Sequence, residues 1–538
     1  MALARGAFAL YLCVLALLSL LSLLLLSLSK LLSWCNCKVC RTYLTKSWVS
    51  QFSNLCDFYT HLLKSSKTQT IKVHVLNNII TANPKNVEHI LKTQFENYPK
   101  GKPFHTILHD LLGRGIFNVD GELWRFQRKM ASYELGSQAV RAMVAKTVLA
   151  EIETRLEPIL ADSVSKGSKL DLQDVLKKFT FDNICKISFG LDPCCLELTQ
   201  PISEFAQAFD RASHLCAGRA VVAPSLIWKI KKFLNLGSER SLREAINMVD
   251  LMAIEVIRQR KVVGSEASDL LSRFMTTVSD DKFLRDIIVS FLLAGRDTVA
   301  SALTSFFWLM AKHPEVEEKV HDEIVRVMGK GVEREREEGG AREGESGVER
   351  GERVSEELRE RGKWGRDKEE REGEDFRERK EVIASYGKLR EMHYLHAALS
   401  ESMRLYPPVQ FDSKFAEKDD ILPDGTVVKK GTRVTYHPYA MGRMESIWGK
   451  DCMEFNPERW LENGFFVPEN PFKYPVFQAG LRVCLGKEMA FLQMKSVVAS
   501  VVYKHKLVLV NPDYTPRFVT SLTANVSGGL EVFVESRS

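Results

Sequence analysis

The segment from Ala7 to Leu28 most constrains how this chain can fold, because its 22 residues are mostly leucine and carry no charge. As a helix rising about 1.5 Å per residue, it reaches roughly 33 Å, enough to cross the hydrocarbon core of a bilayer. A cleaved signal peptide would have a shorter apolar core with a small-residue cleavage site after it. The pattern therefore predicts a retained transmembrane anchor over residues 1–33.

The charges around this segment predict its orientation. Only Arg5 precedes it, whereas Lys30, Lys38, Arg41 and Lys46 follow it. Since basic residues flanking a membrane helix favour the cytosolic side, we expect the rest of the chain to lie in the cytosol. The sequence has no second long apolar run of this kind, which predicts a single-pass protein.

The rest of the chain predicts a mainly α fold with a smaller β region. Strand-type patterns occupy residues 70–90, and helical patterns dominate residues 137–330. Residues 331–380 contain 14 Lys and Arg and 18 Asp and Glu, with few apolar residues. Such a segment cannot bury a core, so we interpret it as a solvated, disordered or marginally helical insertion. It divides one folded domain into residues 34–330 and 381–538.

The cysteines favour a reducing compartment. They number 11, an odd count, and are scattered without a disulfide framework. Cys35, Cys37 and Cys40 form one cluster, but a zinc site lacks a nearby second ligand pair in the sequence. We therefore expect reduced or lipidated surface thiols there. The net charge of +6 is too small to argue for a nucleic-acid partner, and none is predicted.

The ten residues from Phe477 to Gly486, FQAGLRVCLG, are typical of a loop that presents a thiolate to haem iron. Cys484 supplies the electron-rich sulfur ligand. Gly480 allows a tight turn, and Gly486 lets the following helix approach the cofactor. Phe477 can shield the sulfur from water, and Arg482 can reach a haem propionate. A lone cysteine near glycine is usually a buried structural thiol, but the combination of positions argues against that interpretation here.

A second pattern, AGRDT, places polar residues in a long apolar helix. Ala294 and Gly295 leave room beside a flat cofactor, and Asp297 and Thr298 could relay protons to bound dioxygen. The alternative is a helix kink in which Thr298 bonds back to its own helix.

Two further patterns are weaker when taken singly. Glu401 and Arg404 share one helix face, and with Arg459 they could form a buried network whose role is structural. Trp124 and Arg128 also share a helix face and suit the second propionate.

Together and in this order, the four patterns resemble the cytochrome P450 superfamily from about residue 50 to 534. The resemblance implies haem b with Cys484 as axial ligand, oxygen activation by Asp297 and Thr298, and electrons from NADPH through a cytochrome reductase. It also implies an endoplasmic-reticulum membrane protein. Leu481 stands where the superfamily often has proline.

Other stretches, including ESMRLYPPVQFDSKFA, look like the plant fatty-acid ω-hydroxylase clan, closest to its branch that oxidises jasmonoyl-isoleucine. The resemblance implies O₂-dependent oxidation of the terminal carbon of a carboxylated lipid, with dioxygen as cosubstrate. It places the substrate channel at the region Phe104 to Phe117, Phe291, Ala294, Phe411, Ser413, Leu522 and Thr523. Two alternatives stay open: a haem-thiolate enzyme that rearranges lipid hydroperoxides, and a non-catalytic haem-binding membrane protein.

Overall fold

The computed structural model describes residues 35, 37–197, 204–221, 226–263, 269–340, 387–519 and 521–537, with six isolated residues between 14 and 22. Those six residues are helical. The remainder of the predicted anchor and most of the charged insertion lie outside the described residues. The first ten residues of the insertion continue the helix that begins at Pro314.

The described chain is mainly helical, as the sequence predicts. Its α-helices are α1 Lys38–Thr45, α2 Leu55–Ser65, α3 Pro84–Glu88, α4 Gly101–Leu112, α5 Gly121–Leu135, α6 Gln138–Glu151, α7 Glu157–Lys166, α8 Leu172–Phe189, α9 Glu204–Val221, α10 Leu226–Leu234, α11 Ser238–Val263, α12 Leu270–Met275, α13 Asp281–Leu292, α14 Thr298–Lys312, α15 Pro314–Gly340, α16 His393–Leu405, α17 Pro438–Met441, α18 Glu445–Trp448 and α19 Lys487–Lys504. π-Helical turns occupy His89–Thr93, Ile152–Leu156 and Leu293–Asp297.

The strands are short and form small sheets. They are β1 Thr70–Val73, β2 Asn78–Thr81, β3 Leu170–Asp171, β4 Asp412–Phe415, β5 Asp420–Ile421, β6 Val427–Val428, β7 Arg433–Tyr436, β8 Leu461–Glu462, β9 Phe465–Phe466, β10 His505–Leu509, β11 Phe518–Val519, β12 Asn525–Val526 and β13 Glu531–Ser536. The largest sheet has the order β1-β2-β7-β4, with β2 and β7 parallel. A three-stranded sheet has the order β10-β13-β3.

One prediction about these strands is wrong. Residues 84–90 were expected to continue the strand pattern, but Pro84 begins helix α3 and Asn83 caps it by accepting a hydrogen bond from the Lys85 N–H. Proline fits the first turn of a helix because it has no N–H to lose there.

The helical continuum Asp281–Lys312 runs through the core. Among the described residues it is the one helix long and apolar enough to cross a membrane, but 78% of its most apolar window is buried inside the protein. It packs against α8 and α16, and Leu303 and Phe306 are fully buried there. It is a core helix, which ends at Lys312, just before Pro314.

Candidate active site

The cysteine loop is closed by its own backbone. A short 3₁₀ turn spans Gly480–Arg482, and helix α19 starts two residues beyond Leu485. The Cys484 N–H donates to the Phe477 carbonyl at 2.8 Å. The Cys484 thiol reaches an accessible surface, although protein surrounds it on most sides. This desolvation raises its pKa, while the Gly486 N–H and the nearby cations of Arg128 and Lys487 act in the opposite direction.

Residues far away in sequence fix the shape of this loop. Gly480 has a φ of +64°, and a Cβ atom there would lie 2.1 Å from the Leu91 carbonyl oxygen. Gln478 also has a positive φ, of 63°. Its side-chain amide donates to Asp412 Oδ2 at 3.2 Å and accepts a hydrogen bond from the Tyr436 hydroxyl. The loop is thus attached to the largest sheet, a contact that the sequence analysis missed.

Trp124, Arg128 and Arg482, which the sequence assigns to the propionates, come together beside the loop. The guanidinium of Arg482 lies 4.4 Å from the centre of the Trp124 ring, and that of Arg128 lies 5.8 Å from it. Arg128 also donates to the Val483 carbonyl at 2.7 Å. Arg482 donates to Asp120 Oδ1 at 2.6 Å, so its charge is partly neutralised within the protein.

Two buried lysines extend this positive region. Lys414 and Lys100 both contact the carboxylate of Asp412, and Lys414 is only 1% exposed. Among the described residues, the Lys414 ammonium has no hydrogen bond of good geometry. Burial holds the pKa of Lys414 well below its usual range, and the carboxylate opposes this effect. A buried amine without a hydrogen-bond partner could donate to an anionic group such as a haem propionate, whose charge would in turn favour the protonated amine.

These features fit a haem-thiolate centre. The sulfur of Cys484 is accessible and follows a backbone turn, with the start of α19 directed towards it. The guanidinium groups of Arg128 and Arg482 lie around Trp124 next to the loop. A sulfur ligand for the iron and cations for two carboxylates are what haem b requires. Sequence reasoning missed Lys100, which stands outside the four patterns, and Lys414, which lies in a stretch used only for the resemblance.

The oxygen-binding pattern lies where α13 widens into a π-helical turn before α14. Such turns often occur at functional sites. Thr298 donates its hydroxyl hydrogen to the Ala294 carbonyl at 2.7 Å. This is the hydrogen bond back to its own helix that the alternative interpretation, a helix kink, expects. A Cβ atom on Gly295 would lie 2.3 Å from Cδ1 of Ile184. The structure thus gives Gly295 a role in packing α13–α14 against α8, and its place beside the cofactor stays a prediction.

Asp297 is buried and sits at the end of a chain of charges. It is 4% exposed, and its Oδ1 lies 3.4 Å from Nη1 of Arg296. The same Arg296 nitrogen lies 2.6 Å from Oδ1 of Asp210, whose side chain is 39% exposed. Burial raises the pKa of Asp297 to about 6; Arg296 opposes this rise and Asp210 adds to it. A cavity of about 180 Å³ lined by Lys177, Asp210 and Arg296 lies on the solvent side of this chain.

Glu401, Arg404 and Arg459 meet in one buried network. Arg404 makes two hydrogen bonds of 2.7 Å to the Glu401 carboxylate, and Arg459 Nε lies 3.3 Å from it. Two further donors, missed by the sequence analysis, are Trp460 Nε1 at 2.9 Å and the Asn456 N–H at 3.1 Å. Glu401 is fully buried, and its contacts join α16 to the segment that leads to the cysteine loop.

The predicted channel residues divide into two groups. Phe104, Phe291 and Leu522 are partly buried and pack against one apolar cluster, together with Leu485 next to Cys484. In contrast, Ser413 is a buried sheet residue whose hydroxyl lies 2.9 Å from that of Thr435. The others named above are Ala294, whose carbonyl accepts from Thr298, Phe411, which packs against His437, Phe117, which is 39% exposed, and Thr523, which is buried.

Comparison with known proteins agrees with this site. The model of the family described as Cytochrome P450 matches residues 46–337 and 372–524. Cytochrome P450 94C1 of Arabidopsis thaliana is 54% identical over 94% of this chain and 94% of its own length. Cytochrome P450 94B1 of the same species is 46% identical over 90% of this chain and 88% of its own. Cytochrome P450 94A1 of Vicia sativa is 44% identical over 85% and 82%.

Proposed function

The chain belongs to the cytochrome P450 family and is a monooxygenase, and from that premise we propose that it oxidises the terminal carbon of a carboxylated lipid. The substrate class is jasmonoyl-isoleucine, its 12-hydroxy derivative or a fatty acid. The observation that carries this proposal is that Phe104, Phe291, Leu522 and Leu485, the residue after Cys484, all pack against the same apolar cluster. A carboxylate would lose its hydration among such side chains, so the methyl end of the substrate is the end that approaches Cys484.

Haem b, when bound, supplies an iron that activates dioxygen with electrons that a reductase takes from NADPH. Cys484 would hold that iron, with Phe477 beside the sulfur. Trp124, Arg128 and Arg482 would hold the propionates, with the buried amine of Lys414 as a further hydrogen-bond donor. Gly480 and Gly486 keep the loop and the start of α19 close to the sulfur. Ala294 would present the helix backbone to the cofactor.

Proton delivery is the part of the reaction that the chain's own residues perform. Asp297, with a pKa raised to about 6, can hold a proton near neutral pH inside the protein. Arg296 links it to Asp210, which reaches solvent. The Thr298 hydroxyl stays oriented by its bond to the Ala294 carbonyl, which leaves the hydroxyl oxygen free to accept a hydrogen bond. Asp297 and Thr298 would pass protons inward, while Arg296 stays protonated and holds the two carboxylates in line.

The proposal places the enzyme on the endoplasmic reticulum, held by the apolar segment Ala7 to Leu28 with the haem domain in the cytosol. Its reductase would dock on the cationic face next to the cysteine loop. The basic residues that would form this face are Arg125, Arg128, Lys129, Lys473 and Lys487, of which Arg125, Lys129 and Lys487 are exposed. Arg125 is paired with Glu96 and Glu122, and Lys473 with Glu469, so these two contribute less charge to that face.

The test is expression in microsomes with the reductase, followed by product analysis on a jasmonoyl amino acid and on a saturated fatty acid. We expect an NADPH-dependent ω-hydroxy or ω-carboxy product from at least one of them, and none from the Cys484→Ala variant. The absence of any such product would overturn the proposal. Consumption of a lipid hydroperoxide without NADPH would instead support a rearranging enzyme.

A further inference from the structure

Three thiols and one imidazole meet at the boundary between the N-terminal segment and the largest sheet. Cys35, Cys37 and Cys40 lie just before and within the first turn of α1, and His74 follows β1 in the chain. The three sulfur atoms and a ring nitrogen of His74 all lie within 4.8 Å of one another. The sequence shows only three of these four groups together, because His74 lies 34 residues beyond Cys40.

We propose that Cys35, Cys37, Cys40 and His74 form a structural zinc site. Zinc binds thiolate at about 2.3 Å and imidazole at about 2.0–2.1 Å, usually as a tetrahedron in closed structural sites. These bond lengths place the sulfur atoms about 3.8 Å from one another and about 3.6 Å from the nitrogen. The distances from His74 Nδ1 to the three sulfur atoms are 3.3, 3.9 and 4.0 Å, each within about 0.4 Å of the nitrogen–sulfur separation that zinc requires.

The donor set selects the metal. Three sulfurs and one nitrogen, with no carboxylate in the group, exclude the oxygen-preferring ions calcium and magnesium. Four protein ligands leave no open position, so the site would be structural rather than catalytic.

The surroundings already support bound thiolates. The Cys40 N–H donates to Cys37 Sγ at 3.4 Å, and the Val75 N–H is directed at the Cys40 sulfur. Hydrogen bonds of this kind orient metal ligands and stabilise their charge. A disulfide fits the arrangement less well, because the three sulfurs converge on one imidazole and a disulfide between any two of them leaves the third cysteine as a thiol. All three cysteines are free thiols in the structure.

The site would fasten the segment next to the predicted anchor onto the haem domain. Cys40 is fully buried in a cluster with Tyr43, Phe58 and Ile79, so one ligand belongs to the core while Cys35 and Cys37 lie at its edge. His74 attaches the site to the sheet that contains Asp412 and Tyr436, the residues that hold the cysteine loop. Metal binding would therefore fix the position of α1 relative to that sheet, independently of which substrate the enzyme uses.

The experiment measures zinc and haem iron together in the full-length holoenzyme purified without chelators. We expect one zinc per haem, and zinc K-edge absorption fitted by three sulfurs at about 2.3 Å and one nitrogen at about 2.0 Å. His74→Ala and Cys37→Ser should lose the zinc. The matched controls His61→Ala, an exposed histidine on α2, and Cys194→Ser, outside the cluster, should keep it.

Haem content and the reduced CO spectrum report whether each variant is folded. If His74→Ala and Cys37→Ser give no holoenzyme, the zinc K-edge absorption of the wild-type protein shows whether three sulfurs and one nitrogen bind the zinc. Haem-loaded wild-type protein that carries no stoichiometric zinc would overturn the proposal, as would zinc whose first shell lacks sulfur. Thiols that alkylate fully under native conditions would equally contradict it, and so would a Cys–Cys linkage in the native protein detected by mass spectrometry.

Discussion

Replacing Glu401 by glutamine should severely weaken retention of haem. The carboxylate accepts five hydrogen bonds, from Arg404 twice and from Arg459, Trp460 and Asn456. An amide of the same shape removes the negative charge and leaves Arg404, which is 1% exposed, as an uncompensated buried cation. Breaking a buried pair in this way costs about 3–5 kcal/mol. Since about 1.4 kcal/mol corresponds to a factor of ten in a rate, the lower limit of this cost corresponds to a rate of unfolding that is faster by roughly a hundredfold.

The assay follows loss of the reduced CO signal with time at a fixed elevated temperature, because proteins of this size often unfold irreversibly. If the network stays intact until unfolding, we expect Glu401→Gln to lose the signal roughly a hundredfold faster than wild type. Glu401→Asp keeps the charge, so its rate should lie between those of the wild type and Glu401→Gln. Glu462→Gln, on an exposed strand residue nearby, is the matched control and should behave as wild type. A Glu401→Gln rate within about twofold of the control would refute the reasoning.

Three further outcomes are expected. Because the pKa of Asp297 is raised to about 6, its protonated form is lost as the pH rises through that value. The rate of product formation by the wild type should therefore fall between about pH 5 and 7. The Asp297→Asn variant should be slower and should lack this pH dependence. Leu481 is 57% exposed in the first turn of a 3₁₀ segment, where proline is tolerated. Leu481→Pro should therefore change haem retention only modestly. A large gain in haem retention would mean that the natural loop is impaired in binding haem. A tag placed after Ser538 should be digested by protease in intact microsomes, and its protection would contradict the cytosolic orientation.

Local patterns predicted the parts of the site that are close together in the chain. The thiol loop, the helix after it and the pairing of Glu401 with Arg404 all follow from spacing along ten residues or along one helical face. The assignment to the cytochrome P450 superfamily is confirmed by the match to the family model. Trp124 and Arg128 could be placed on one face for the same reason, but their meeting with Arg482 depends on how α5 packs.

Contacts between distant segments could not be predicted in this way. Gln478 is held by Tyr436 and Asp412, and nothing in its own surroundings in the sequence indicates those partners. Gly295 shows a related limit. Its missing side chain makes room for Ile184, a contact that only the packing of two helices determines. Its predicted place beside the cofactor stays a prediction. His74 remained unnoticed for the same reason.

The most direct test of terminal oxidation uses isotopically labelled dioxygen in microsomes that contain the reductase, with product position determined by mass spectrometry. We expect one labelled oxygen atom on the terminal carbon of the jasmonoyl conjugate or of the fatty acid, dependent on NADPH and absent in Cys484→Ala. Label at an in-chain carbon, or terminal oxygen that derives from water in the first hydroxylated product, would contradict the account.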